Sequence, residues 1–136
     1  MASFQNPGRT SARSGWSVEK AMGRRFAALI VPADLNIPVR VEVMNAELEK
    51  YRKLVQGPVE SMNCFGWHVY LNDEADYIPL PPNVRAEVLI REAGIGVDTV
   101  KGNAVFLGDG PDGGEADVPE YLLRLAQDLL GLQLAA

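Results

Sequence analysis

Residues 67–86, WHVYLNDEADYIPLPPNVRA, decide the fold class of this chain. From Trp67 to Asn72 the side chains alternate, Trp67, Val69 and Leu71 on one face and His68, Tyr70 and Asn72 on the other, which is the period of a strand. Asn72–Ala75 then reads as a turn, Tyr77, Ile78 and Leu80 as a short strand, and Pro81–Pro82 stops pairing. Asn83 is placed to cap a helix over VRAEVLIREA, whose Val84, Val88 and Leu89 fall on the core side. A strand that passes into a helix through a tight acidic turn, with no regular strand–helix alternation around it, favours an α+β domain over a doubly wound one.

Upstream of that stretch, FAALIV (26–31) reads as a buried strand, followed by a turn built on Pro32, Asp34, Asn36 and Pro38. Val39, Val41 and Val43 alternate with Arg40, Glu42 and Met44, so the two strands form a hairpin. Asn45 is a cap candidate for AELEKYRKLVQ, where Leu48, Tyr51, Leu54 and Val55 share a side and Glu49 supports Lys53; Gly57 and Pro58 end that helix. Val59–Phe65 and Trp67–Asn72 flank Gly66, which reads as a tight turn. Downstream, Gly94 and Gly96 close the second helix, Val100–Leu107 forms the last strand with a bend at Gly102, and GDGPDGG (108–114) is a mobile loop. Asp117 or Pro119 opens a final helix, PEYLLRLAQDLLGL, with Leu122, Leu125, Leu129 and Leu132 on one broad face. The expected architecture is α+β, a mixed, mainly antiparallel sheet of about five to six strands packed against two to three helices.

The chain has 136 residues, 47% of them hydrophobic, enough for one core. Residues 1–25 carry five basic side chains against Glu19, a net charge of +4, so the remaining residues stand at −9 within a total of −5. That stretch is rich in Ser, Gly and Arg and poor in aliphatics. The expected organisation is therefore a flexible basic N-terminal extension over 1–25 and a single α+β domain over 26–136. MGRRFAALIVPAD also leaves Met22 as a second candidate start. The longest apolar run, Phe26–Val31, is too short for a membrane span or a leader. A lone cysteine, Cys64, allows no intrachain disulfide and fits the reducing cytoplasm.

Candidate chemistry is sparse. Glu60, Asn72, Asp73, Glu74 and Asn83 gather near strand ends and turns. Their oxygens suit a small ligand or a hard cation such as Mg²⁺ or Ca²⁺, although Asn72 and Asp73 are equally turn formers and Asn83 a helix cap. Glu60, Asn72, Glu74 and Asn83 are taken as the candidate ligand site. GDGPDGG places Asp at alternating positions but lacks the closing Glu of an EF-hand loop. With one histidine, His68, the chain cannot build a two-histidine metal site, and His68 beside Tyr70 reads as a partly exposed packing residue. Ser61, Cys64 and His68 have no nucleophile-and-base spacing, and GIGVD (94–98) is neither a dinucleotide fingerprint nor a phosphate loop. No catalytic residue, cofactor or metal is assigned. An acidic body repels phosphates, which leaves only the basic extension for weak nucleic-acid contact.

Four segments together carry a resemblance: Val55-x-Gly57-x-Val59-Glu60, then VYLNDE (69–74), then Leu80-Pro81-x-Asn83-x-x-Ala86, then GNAVFLG (102–108). In this order and spacing, residues 26 to 121 resemble a family of small proteins of actinobacteria and their phages and plasmids, catalogued as domain of unknown function 3846. Pro58 and Pro82 stand where less constrained residues are expected. The resemblance implies a genomic setting and carries over no activity or catalytic residue. Together the observations favour a non-enzymatic accessory protein of a phage or mobile element, in the host cytoplasm, that binds a host protein or a small ligand. Two alternatives stand beside it. One is a small divalent-metal-dependent hydrolase using Glu60, Asp73 and Glu74; the other is a self-associating assembly protein, with Leu130, Leu132 and Leu134 exposed on the last helix. Mimicry of DNA is a further, weaker reading, because Arg40, Arg52, Lys53, Arg85 and Arg91 interleave with the acidic residues.

Overall fold

A computed structural model of the chain describes residues 10–11 and 24–132. The expected extension over 1–25 thus lies outside the described residues, apart from Thr10–Ser11 and Arg24–Arg25. The strands are β1 (Thr10–Ser11), β2 (Arg25–Val31), β3 (Arg40–Asn45), β4 (Val59–Asn63), β5 (Trp67–Asn72), β6 (Ala104–Asp109) and β7 (Glu115–Ala116). The helices are α1 (Leu48–Val55), α2 (Val84–Glu92) and α3 (Glu120–Leu130). All strands join one sheet in the order β1-β4-β5-β6-β2-β3, with β7 added to the far end of β6, and every pairing is antiparallel. The class is α+β, as the sequence implies. No helix of the described residues is long and apolar enough to cross a membrane.

Strand alternation divides the core into two layers. Leu29, Val31, Met62, Trp67, Val69, Leu71, Ala104 and Phe106 face α2 and α3, where Ala86, Leu89, Ile90, Leu122 and Ala126 cover them. Phe26, Ala28, Ile30, Val59, Tyr70, Val105 and Leu107 face the single helix α1, which contributes Tyr51 and Val55. The sheet is therefore buried on both sides, and its central strands β5 and β6 carry apolar side chains on each.

Several local expectations change. Tyr77–Leu80 makes a turn and irregular backbone rather than a strand; among the described residues the pairing nearby is a bridge between Pro82 and Lys101. Leu80 packs instead against Gly102, where an added Cβ would come within 3.1 Å of its Cδ1 and where φ is +81°. Pairing of the last long strand starts at Ala104, not Val100, and continues to Asp109. The first helix begins at Leu48 behind Glu47, with no side-chain cap from Asn45, and it ends on Gln56 in the left-handed conformation. Asn83 caps α2 as expected, accepting from the Ala86 N–H at 2.9 Å. Val84 is exposed while Ala86 and Ile90 take the core positions, so the buried stripe of α2 is rotated from the one read in the sequence. In α3, Leu129 is exposed and Leu130 packs partly against the core; Leu132, past the helix end, is buried, and Leu134 lies outside the described residues.

Candidate functional site

His68 sits on β5 with its side chain toward α1 and is completely buried. A buried imidazole needs partners for both nitrogens, and the topology supplies them from residues far away in sequence. β6 runs beside β5 and ends in Asp109, whose Oδ1 is 2.6 Å from His68 Nδ1. The chain then reverses through the glycine-rich loop into β7, where Glu115 pairs with Asp109 across the hairpin and so shares its face. Glu115 Oε1 comes 2.7 Å from His68 Nε2, within ion-pair distance when the imidazole carries a proton on both nitrogens. Glu115 Oε2 accepts from Tyr70 Oη at 2.6 Å and from Tyr51 Oη at 2.8 Å, and the two tyrosine rings stack with centroids 4.4 Å apart.

The loop glycines make this closure feasible. A Cβ on Gly108 would collide with the Asp117 carbonyl, and one on Gly110 would stand 2.8 Å from the Glu115 carbonyl. The stretch that looks like a mobile loop in the sequence is thus a tight hairpin, closed by a bond from the Gly110 N–H to the Gly114 carbonyl at 2.9 Å.

Electrostatics follow from the geometry. Burial works to raise the carboxyl of Glu115, but the hydrogen bond and charge of His68 and the hydroxyls of Tyr70 and Tyr51 outweigh it and hold the group below its ordinary value. An imidazolium satisfies both carboxylates at once, since both of its nitrogens then donate. Only Asp109 opens this network to solvent, with 32% of its side chain exposed. Nearby Cys64 is half-buried, and burial together with the charge of Asp109 pushes its thiol up to about 12. At neutral pH it is a poor nucleophile. Among the described residues no three His, Cys, Asp or Glu side chains are placed to hold a metal ion.

The residues singled out from the sequence lie at the opposite end of the sheet. Glu60 and Asn72 line a small cleft of about 50 Å³ together with Asp73, Asp76, Thr99 and Lys101; Glu74 and Asn83 are not in its lining. That volume suits water rather than a metabolite, whose pockets run to several hundred Å³. The Asn72 amide donates to the carbonyls of Val55 and Gln56 (3.1 and 3.3 Å), and its oxygen accepts from the Glu74 N–H at 2.7 Å. Asn83 donates to the carbonyls of Val31 and Gly102, both at 2.8 Å. Glu74 itself is exposed and Glu60 is buried.

Of the buried network, alternation shows only that His68 and Tyr70 share a face; it gives no sign of Asp109, Glu115 or Tyr51. The signal available was the pair of carboxylates bracketing a glycine-rich turn, D-G-P-D-G-G-E, which brings Asp109 and Glu115 onto one face whenever the turn closes a hairpin.

A family model described as Domain of unknown function (DUF3846) matches residues 26–131. No curated protein and no solved structure matches the chain.

Proposed function

The chain belongs to this family, and from that premise and the geometry above we propose that it is a non-enzymatic accessory protein of a phage or mobile element that acts by binding a host protein. The observation that carries this reading is Phe65, 88% exposed on the turn between β4 and β5. A large aromatic side chain held in water on a short, fixed turn is the kind of residue that anchors a protein interface. Gly66 fixes that turn with φ +81°. Tyr121, half-exposed at the start of α3, lies at the same end, in reach of Trp67, Cys64 and Asp109.

The buried network supports the same reading. His68 has no exposed surface with which to meet a substrate, so its partners hold the strand ends beneath Phe65 in place. The actinobacterial setting comes from the family resemblance, and the host cytoplasm follows from it as part of the proposal.

A photo-crosslinking amino acid placed at Phe65 tests the reading in cells of an actinobacterial host. A discrete crosslinked host protein is expected at Phe65 and not at Tyr77, which is 87% exposed outside the β4–β5 turn. Equal crosslinking at both positions, or none at Phe65, overturns it.

A further inference from the structure

Strand β3 forms an edge of the sheet: it pairs with β2, and among the described residues nothing pairs with its outer side. The direction of its free backbone groups follows from its neighbour. Ala27 of β2 gives its N–H to Asp117 Oδ1 (2.8 Å) and its carbonyl to the Val118 N–H (2.9 Å), both on the side away from β3. A strand residue points both backbone groups to one side, and the sides alternate. Phe26, Ala28 and Ile30 therefore bond toward β3, to Met44, Glu42 and Arg40, while Val41 and Val43 turn their N–H and C=O groups outward. The Arg25 guanidinium reaches the Val43 carbonyl at 3.1 Å and leaves its second lone pair free.

We propose that this edge is an interface with a second copy of the chain, the two β3 strands pairing antiparallel about a twofold axis through Val41. In that register Val41 exchanges hydrogen bonds with its own counterpart and Val43 faces Val39, so the outward donors and acceptors meet. Arg40 and Glu42 then stand opposite Glu42 and Arg40 of the second copy, at the closely spaced non-hydrogen-bonded positions where opposite charges across strands help pairing. Both side chains are partly exposed, 43% and 31%; within one chain they lie 3.4 Å apart and Glu42 also meets Lys50 at 2.8 Å, so the cross-strand pairs share or replace these contacts. A twofold axis through Val43 would satisfy the backbone equally, but it sets Glu42 against Met44 and adds no charge pair between the copies. Val43, itself 52% exposed, gains an apolar neighbour in the Val41 register. Protected edges commonly carry charge of one sign, often Lys; the alternating signs of Arg40 and Glu42 complement themselves instead. Five residues of edge bury little area, so the dimer is weak and fills at high concentration. The surface lies at the opposite edge of the sheet from the Phe65 turn, and the two proposals stand or fall separately.

Sedimentation velocity of the full chain over a concentration series tests this. A monomer–dimer equilibrium is expected for the native chain. Val43→Pro is expected to abolish it while the thermal melt stays cooperative, because proline deletes an outward N–H and spares the ladder to β2. Arg40→Glu and Glu42→Arg should each weaken self-association by roughly tenfold, and an equimolar mixture of the two variants should recover it, because the opposed charges are again complementary. The mixing experiment keeps the proposal open to failure should Val43→Pro not fold. A strictly monomeric native chain, a dimer indifferent to Val43→Pro in a folded protein, or a mixture no tighter than its components would each overturn it.

Discussion

Where β5 begins, buried polarity is carried by ionisable groups: His68 between Asp109 and Glu115, with two tyrosine hydroxyls on the second carboxylate. Where β5 ends, beside the buried carboxylate of Glu60, three amides tie the elements together. Asn72 closes the last turn of α1, Asn83 ties the start of α2 to β2 and to Gly102, and Asn103 bridges the Ala33 N–H and the Leu54 carbonyl at 2.9 Å each. Each amide both donates and accepts, so one neutral side chain can satisfy an orphan N–H and an orphan C=O together. A carboxylate only accepts, and it needs a cation or several donors before it can be buried. The amides themselves do not titrate, whereas the carboxylate of Glu115 does.

The largest effect expected from this contrast is at Glu115. Glu115→Ala leaves His68 and two tyrosine hydroxyls without their acceptor, and a loss of about 3–5 kcal/mol is expected in urea unfolding at pH 7. Asn83→Ala should cost less, about 2–3 kcal/mol, for two buried carbonyls and one helix cap. If the amide variant proved the more damaging, the ranking of the two ends would be wrong.

Gly57→Ala should cost about 1–2 kcal/mol through crowding, since its Cβ would stand 2.7 Å from Asn72 Nδ2. In an Asn72→Ala background the crowding should disappear while the backbone strain of Ala at φ +159° remains, and a double-mutant cycle measures the coupling. Smaller still is the pH effect that separates the two ends. The folded carboxyl of Glu115 titrates below its ordinary value. Its contribution is thus complete above the unfolded value of about 4.3 and is lost as the pH falls toward and through the folded one. Unfolding free energies measured from pH 7 down to pH 3 should show this decline in the native chain and in Asn83→Ala, and a flatter profile in Glu115→Gln. An equally steep profile in Glu115→Gln would assign the acid sensitivity elsewhere. Least affected should be Phe65→Ser, within about 0.5 kcal/mol of the native chain, because the side chain it removes is held in water.

The amide end was partly legible in the sequence. Asn83 before an apolar helical pattern and Asn72 at a strand end are local signals, read within a few residues of their partners. The charged end was not, because His68 and Asp109 are 41 positions apart and meet only through the register of β5 on β6. A strand's alternation tells which side chains share a face and leaves open which strand lies next to it. The same limit explains Val43 and Val84, apolar residues with the right spacing that the finished packing leaves in water. Spacing gives a helix its stripe, but the neighbours decide how far around the stripe is covered.

The strand order also governs how the chain is made. The β2–β3 and β4–β5 hairpins are each complete within a short run of sequence, yet they lie apart in the sheet and are joined by β6, which pairs Val105 with Ile30 on one side and Tyr70 on the other. During synthesis two finished hairpins must wait, each with an apolar edge open, until residues 104–109 emerge and stitch them together. Anything that slows translation through that stretch lengthens the time in which both edges are open to other chains.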